Sequence, residues 1–216
     1  MIYEERYTIT VLRTMRDYID LYRQSVIPAI RKLGGQVLCL VTGMIGDPSN
    51  AVLMMTGYED IKAWQDSQDY FSEERNHLIE TEHVRLLQQV GYLPRGIPEP
   101  QDRRSTYTYR QFFIDPTNLD RFVECSEHGV WPLYHAVDSR VLGLWTHIEK
   151  TFPMEIILMT GYHGLGHWEE TRFPHGKPLG ISDELWERGR NLTAERSSLL
   201  IRSSGVRVFR THDIDI

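Results

Sequence analysis

Residues 2–10 (IYEERYTIT) alternate between apolar and polar positions, as do residues 106–114 (TYTYRQFFI), the pattern of a half-buried strand. Residues 14–33 and 117–136 then place apolar side chains at helical spacing. Asp115 or Thr117 is positioned to cap the second of these helices, with Pro116 in its first turn. Apolar strands follow, VLCLVTGM and VLGLWTHI, and then turns containing GDPSN and EKTFP. The next strands, VLMMTGY and IILMTGY, each run directly into a short helix.

The two series are copies of one unit. Shifted by 104 residues, the chain matches itself without gaps from about Tyr3 to Trp64. Tyr3 meets Tyr107, Arg6 meets Arg110, Pro28 meets Pro132, and Met55-Thr56-Gly57-Tyr58 meets Met159-Thr160-Gly161-Tyr162. Trp64 meets Trp168. Such a long period is an internal duplication rather than a solenoid. After a gap, Glu82–Leu87 (EHVRLL) aligns with Glu195–Leu200 (ERSSLL) at an offset of 113. That alignment predicts a fourth strand in each copy and a nine-residue insertion in the second, in or near FPHGKPLGISDE.

The order is β-α-β-β-α-β twice, the ferredoxin-like split unit, giving an α+β fold. Units are expected at 1–92 and 105–216, joined by the Pro- and Arg-rich linker 93–104 (LPRGIPEPQDRR). Both helices of such a unit lie on one sheet face. Packing two sheets through their bare faces makes a barrel with helices outside, a dimeric α+β barrel arrangement. The barrel could close within one chain, or each half could pair with a half of another.

Composition is that of an ordinary soluble domain, 41% hydrophobic and 25% charged. A net charge of −6 gives no electrostatic reason to expect nucleic acid or an anionic membrane as partner. The N-terminus has acidic residues and no apolar run, and no window approaches a membrane span. Cys39 and Cys125 lie in apolar patterns without metal or redox spacing, pointing to buried thiols and a cytoplasmic location. Signatures for phosphate loops, dinucleotide binding, nucleophile elbows and paired-Cys zinc sites are missing from the sequence.

The opening strand MIYEERYTIT, with its aromatic-Glu-x-Arg pattern, resembles that of NIPSNAP-family proteins. The helix ending in Pro28, the Gly34-Gly35 after it, and the GDPSN turn before a strand ending in Gly-Tyr are similar too. The wider resemblance is to the dimeric α+β barrel superfamily, through Trp64-x-x-Ser67 followed by Tyr70-Phe71. The second copy departs from the pattern, with Thr108-Tyr109-Arg110 in place of Glu-x-Arg. The resemblance implies the fold; relatives include heme-degrading and quinol-forming monooxygenases, polyketide cyclases and lyases, so activity has to be argued from the site.

Seven of nine histidines fall in the second unit, among them His128, His135, His147, His163, His167 and His175. None of the first five has a histidine counterpart in the first copy, which fits either one working pocket or drift on a solvated surface. His163 and His167 stand four apart, so on a helix they share a face and could chelate a divalent metal with Glu170 as third ligand. The expected outer position of that helix favours lining a pocket mouth instead, and no metal is assigned. His135 shares one end of the unit with His163, while His147 lies at the opposite end. The resemblance implies a segment crossing the cavity mouth after the Trp-bearing helix, and Phe173-Pro174-His175-Gly176 occupies it. A histidine there can move a proton near neutral pH. Tyr70 and His77 hold the comparable region of the first copy.

If Tyr7 and Ile9 pack under the helices, then Glu4, Arg6, Thr8 and Thr10 point into the barrel, as do Thr108, Arg110 and Phe112. A buried arginine needs a carboxylate or an anionic ligand. Arg6 has Glu4 at hand, whereas Thr108 stands in that place beside Arg110. Arg110 is therefore the better candidate for holding a substrate carboxylate or enolate, against a structural ion pair across the barrel. Tyr58, Tyr162, Trp145 and Trp131 offer aromatic surface.

These readings predict a small-molecule enzyme using acid/base chemistry on an aromatic or polyketide-like substrate: a cofactor-independent monooxygenase, cyclase or lyase. Arg110 would hold an oxyanion and His175 or His163 would carry the proton, with Arg6, Tyr58, Tyr162, Trp145 and His167 contacting substrate. The alternative is a non-catalytic protein binding a hydrophobic ligand such as heme, with His175 or His77 turned inward. No cofactor is favoured between heme and a divalent metal, and association as a homodimer is expected.

Overall fold

A computed structural model describes residues 1–68, 73–91 and 102–212. The Tyr70-Phe71 pair and most of the 93–104 linker lie outside the described residues. The first half runs β1 (Ile2–Thr10), α1 (Met15–Leu21), α2 (Ile27–Lys32), β2 (Gln36–Ile45), β3 (Ala51–Tyr58), α3 (Ile61–Gln68) and β4 (Ile79–Gln89). The second runs β5 (Thr106–Ile114), α4 (Leu119–Cys125), α5 (Trp131–Ala136), β6 (Arg140–His147), β7 (Met154–Tyr162), α6 (Leu165–Glu170), α7 (Asp183–Ser198), β8 (Leu200–Ser203) and β9 (Arg207–Thr211).

The first helix of each half continues past its proline instead of ending there. Pro28 and Pro132 lack the N–H that an α-helix would donate four residues back. The ladder widens by one residue just before each: Ile27 N–H donates to the Tyr22 carbonyl and Trp131 N–H to that of Ser126. The chain thus forms a π turn and resumes as α2 or α5. Asp115 Oδ1 accepts from the Thr117 amide at 2.9 Å and so caps the turn that leads into α4.

All strand pairs are antiparallel, and eight strands close in the order β1-β3-β2-β9-β5-β7-β6-β4. β8 extends β5 beyond β9. Each half lends its fourth strand to the other: β4 pairs with β6, and β9 with β2. One chain therefore completes the barrel without a partner. Among the described residues no helix is long and apolar enough to cross a membrane.

Strand register corrects the alignment of the fourth strands. Thr8 pairs with Glu82 and Ile9 with Thr81; their counterparts Phe112 and Phe113 pair with Ser203 and Arg202, and both ladders bulge at the next residue. The offset there is 121 rather than 113, so the second half carries seventeen extra residues rather than nine before its fourth strand. Glu74-Arg75 then falls on Glu195-Arg196. Residues 195–198, expected as strand, form the last turn of α7.

The phase of the strands is also the reverse of expectation. Tyr3, Tyr107 and Tyr109 point into the barrel with Cys39, Val41, Leu53, Met55, Trp145, Met159 and Phe209, and fill it; Tyr7 packs against this core. Glu4, Arg6, Thr8 and Thr10 point out beneath the helices of the first half, where Thr8 Oγ1 meets the Tyr18 hydroxyl at 3.1 Å. Arg110 and Phe112 likewise face the helices of the second half.

Charges inside the barrel tie the halves together. Arg85 (β4) donates to Glu5 (β1) at 2.6 Å, to the Tyr109 hydroxyl (β5) at 2.6 Å and to Glu155 (β7) at 3.1 Å. Nearer the other mouth, Arg207 (β9) makes a two-toothed pair with Asp47 at 2.6 Å and lies over the rings of Tyr7, Tyr109 and Phe209. Burial raises the Glu155 carboxyl pKa, but hydrogen bonds from His147 and Gln111 and the Arg85 charge outweigh it and bring the value to about 2. A depressed carboxyl contributes stability that is complete above its unfolded pKa and lost as pH falls through the folded one. Denaturant unfolding should therefore show stability declining from about pH 5 toward pH 2, and Glu155→Gln should flatten that segment. An unchanged profile in Glu155→Gln would contradict the network.

Candidate functional site

The extra residues of the second half build a cavity. They supply most of α7, which begins at Ser182, whose Oγ accepts from the Leu185 amide at 3.2 Å. Two glycines let this helix settle close. A Cβ on Gly129 would lie 2.4 Å from Leu192 Cβ, and one on Gly189 would lie 2.2 Å from Leu133 Cδ1. Arg121 and Glu195 add a two-toothed pair at 2.5 and 2.6 Å between α4 and α7. Between α7, α5 and the outer face of β5 and β8 remains a cavity of about 700 Å³. Val130, Leu133, Phe112, Phe173, Trp186 and Leu200 give it an apolar wall.

Its charge is one-sided. Arg110, Arg172, Arg190 and Arg196 line it, and among the described residues no Asp or Glu does. Arg172 and Arg190 are exposed and lie over Trp168 and Trp186. Arg110 is half-buried and, among the described residues, makes no hydrogen bond or ion pair. Arg196 is buried, with its guanidinium over Phe112 (5.3 Å) and Phe122 (5.4 Å). One hydrogen bond holds it, donated to Ser126 Oγ at 3.3 Å. Burial, reinforced by the nearby Arg110 charge, pushes the Arg196 pKa down to about 10. Two cations facing one apolar cavity, with no acid to offset them, favour an anion there.

The first half shows what such a pair holds. Arg6 corresponds to Arg110 and Arg75 to Arg196, and together they grip Glu82. Arg6 Nη1 reaches Glu82 Oε2 at 2.5 Å, while Arg75 donates to both carboxylate oxygens at 2.6 and 2.8 Å. Thr8 Oγ1 donates to the same carboxylate at 2.9 Å. Arg75 also donates to the Tyr22 hydroxyl at 2.8 Å, as Arg196 does to Ser126, the counterpart of Tyr22. Tyr18 and Tyr22 stack at 4.2 Å, and their counterparts in the second half are Phe122 and Ser126. At the place of Glu82 stands Ser203, on the cavity wall.

The barrel recurs in solved structures. A "putative monooxygenase" from Lactobacillus acidophilus NCFM is similar over 97% of this chain and 93% of its own, at TM-score 0.65 and 9% identity. A protein named anthrone oxidase-like is similar over 98% and 91%, at TM-score 0.57 and 10% identity. These likenesses establish the shared α+β barrel fold and nothing finer. A NIPSNAP family protein from Agrobacterium tumefaciens covers 41% of this chain at TM-score 0.36 and 21% identity, which does not show the family. No protein-family model matches the chain, and no curated protein matches it.

Of the residues expected at the site, Arg110 alone lines this cavity. His175 is exposed on the loop between Phe173 and Gly176, both of which line it, so His175 sits at the rim. Arg6 and Tyr58 lie buried under the helices of the first half, and Trp145 is inside the barrel against Tyr3. Tyr162 is buried beside His167. Trp131 belongs to the apolar layer around Phe112 and Phe122. His77 is exposed, and His147 pairs with Glu155 at 3.0 Å at one end of the barrel. The residues that sequence reading passed over, Arg196, Trp186 and Ser203, lie on or after α7, and the Glu-Arg match of 74–75 with 195–196 was the signal that locates them.

The His163/His167 pair is tied to the surrounding chain by hydrogen bonds. His167 Nδ1 accepts from the His163 amide at 3.1 Å and its Nε2 donates to the Val137 carbonyl at 2.7 Å, while His163 Nε2 meets Asp138 at 2.5 Å. Three of the four ring nitrogens are thus engaged, and among the described residues no His, Cys, Asp or Glu lines the cavity. The lining residues therefore fit neither a divalent cation nor a histidine-ligated heme. His167→Ala should lower unfolding stability by about 1 kcal/mol in denaturant titrations, the usual worth of a lost cap. His175→Ala should leave stability unchanged, and equal losses in the two variants would contradict this assignment.

Proposed function

We propose that the second half carries the active site of a small-molecule enzyme acting by acid/base chemistry on an aromatic, polyketide-like substrate in the cavity beneath α7. The reaction class is a cofactor-independent oxygenase, with cyclase or lyase chemistry available on the same anionic intermediate. The observation that carries this reading is the pair Arg110 and Arg196, unopposed by any acid in an apolar-walled cavity of a size suited to such a ligand.

A C–H beside a carbonyl loses its proton readily only if the enolate charge is met by fixed cations. Arg110 and Arg196 stand ready for that charge, and the walls of Phe112, Leu133, Phe173 and Trp186 keep the local dielectric low. His175 at the rim carries the proton to solvent. The electron-rich carbanion then reacts with dioxygen directly. A methylene becomes a carbonyl, one oxygen atom entering the product and the other leaving as water. Having this fold in common with a protein named anthrone oxidase-like is in keeping with the proposal.

An oxygen electrode tests it with anthrone as substrate, without added metal or flavin and with a chelator present. Expected is uptake of one dioxygen per substrate oxidised, with Arg110→Ala lowering kcat/KM about 100-fold, as for removal of one oxyanion donor. Saturable binding of anthrone with no uptake above the uncatalysed rate would instead indicate a binding protein.

A further inference from the structure

The duplication supplies a template for the ligand itself. In the first half, Arg6 and Arg75 close on the carboxylate of Glu82, with Thr8 as a third donor and Tyr22 steadying Arg75. In the second half the same frame returns: Arg110 on β5, Arg196 seven residues before the fourth-strand position, and a hydroxyl, Ser126, steadying Arg196. The carboxylate-bearing residue is replaced. Glu82 pairs across the ladder with Thr8, and Ser203 pairs across it with Phe112, so one cross-strand position holds Glu in one half and Ser in the other. The counterpart of Glu4, the other acid on Arg6, is Thr108. The counterpart of Gln68, which accepts from Arg6 at 3.0 Å, is Arg172 on the cavity wall. The second half has thus lost the counterparts of Glu4, Glu82 and Gln68 as acceptors and gained a cation, while keeping both arginines.

We propose that the ligand of this cavity carries a carboxylate, which Arg110 and Arg196 grip beside Ser203 as Arg6 and Arg75 grip Glu82. This rests on the cavity being the ligand site, and it adds the functional group that the substrate bears. The carboxylate lies at the inner end, against β5 and β8, and the aromatic body extends past Phe112 and Leu133 toward Trp186 and Phe173. Planar guanidinium groups suit the two oxygens of a carboxylate, whereas a ketone such as anthrone offers one oxygen that becomes anionic only on losing its proton, and so binds more weakly.

The test reinstates the missing acid. Ser203 is exposed at the cavity wall, so Ser203→Glu has room, and Ser203→Gln controls for its size. Binding of 2-naphthoate and of its neutral analogue 2-acetylnaphthalene is followed by fluorescence titration, with thermal unfolding alongside. Expected is naphthoate binding about 10- to 100-fold tighter than acetylnaphthalene, the usual range for hydrogen bonds to a charged group. Ser203→Glu should abolish that preference and raise the melting temperature, while Ser203→Gln should keep most of the preference and leave the melting temperature near that of the unaltered protein. Equal binding of the two ligands, or naphthoate binding unaffected by Ser203→Glu, would overturn the carboxylate assignment and leave the cavity as a ligand site. Failure of both ligands to bind would overturn the cavity reading as well.

Discussion

The structure depends on filling a barrel closed by two half-sheets of one chain. Tyr3, Tyr107, Tyr109 and Trp145 occupy its interior, and Arg85 and Arg207 connect carboxylates of the two halves within it. Arg85 bridges Glu5 and Glu155, and Arg207 holds Asp47, so removing either arginine would leave buried acid unmatched. With the interior filled in this way, the cavity of the second half lies outside the sheet, beneath the helices.

Outside the sheet, the two halves solve one problem differently. An outward-facing arginine on the first strand of each half needs an anion. In the first half the chain supplies it from Glu4 and Glu82, and Tyr18, Tyr22 and Trp64 fill the remaining space; Trp64 Nε1 donates to Glu4 at 2.6 Å. In the second half Thr108 and Ser203 stand where the first half has Glu4 and Glu82, Ser126 stands where it has Tyr22, and α7 roofs the cavity. A helix roofing an arginine-lined cavity has no continuous apolar face to bury, which is why α7 is so polar along its length.

Much of this was legible in the sequence. The 104-residue offset, the strands 2–10 and 106–114 and the α+β barrel follow from alternation and repetition, because both are strongly patterned. The direction of the alternation was not legible. Both sheet faces are buried here, one in the barrel and one under helices, so no polar face shows which way Arg6 and Arg110 point. The prominence of Arg110 survived that reversal because it came from comparing Glu4 with Thr108, which holds on either face. The spacing of His163 and His167 is equally good for capping, and their partners Val137 and Asp138 were not legible in the sequence. α7 was missed because residues 195–200 were matched to 82–87, although Ser182 followed by Asp183 and Glu184 is a sound helix start.

The cavity beneath α7 is proposed as an anion clamp of the kind the first half displays with its own glutamate. A crystal structure of the protein with bound 2-naphthoate tests this most directly. The account predicts carboxylate oxygens within about 3 Å of both Arg110 and Arg196, overlying those of Glu82 when the halves are superposed. Naphthoate bound elsewhere, or in this cavity with its carboxylate turned toward the solvent, would contradict it.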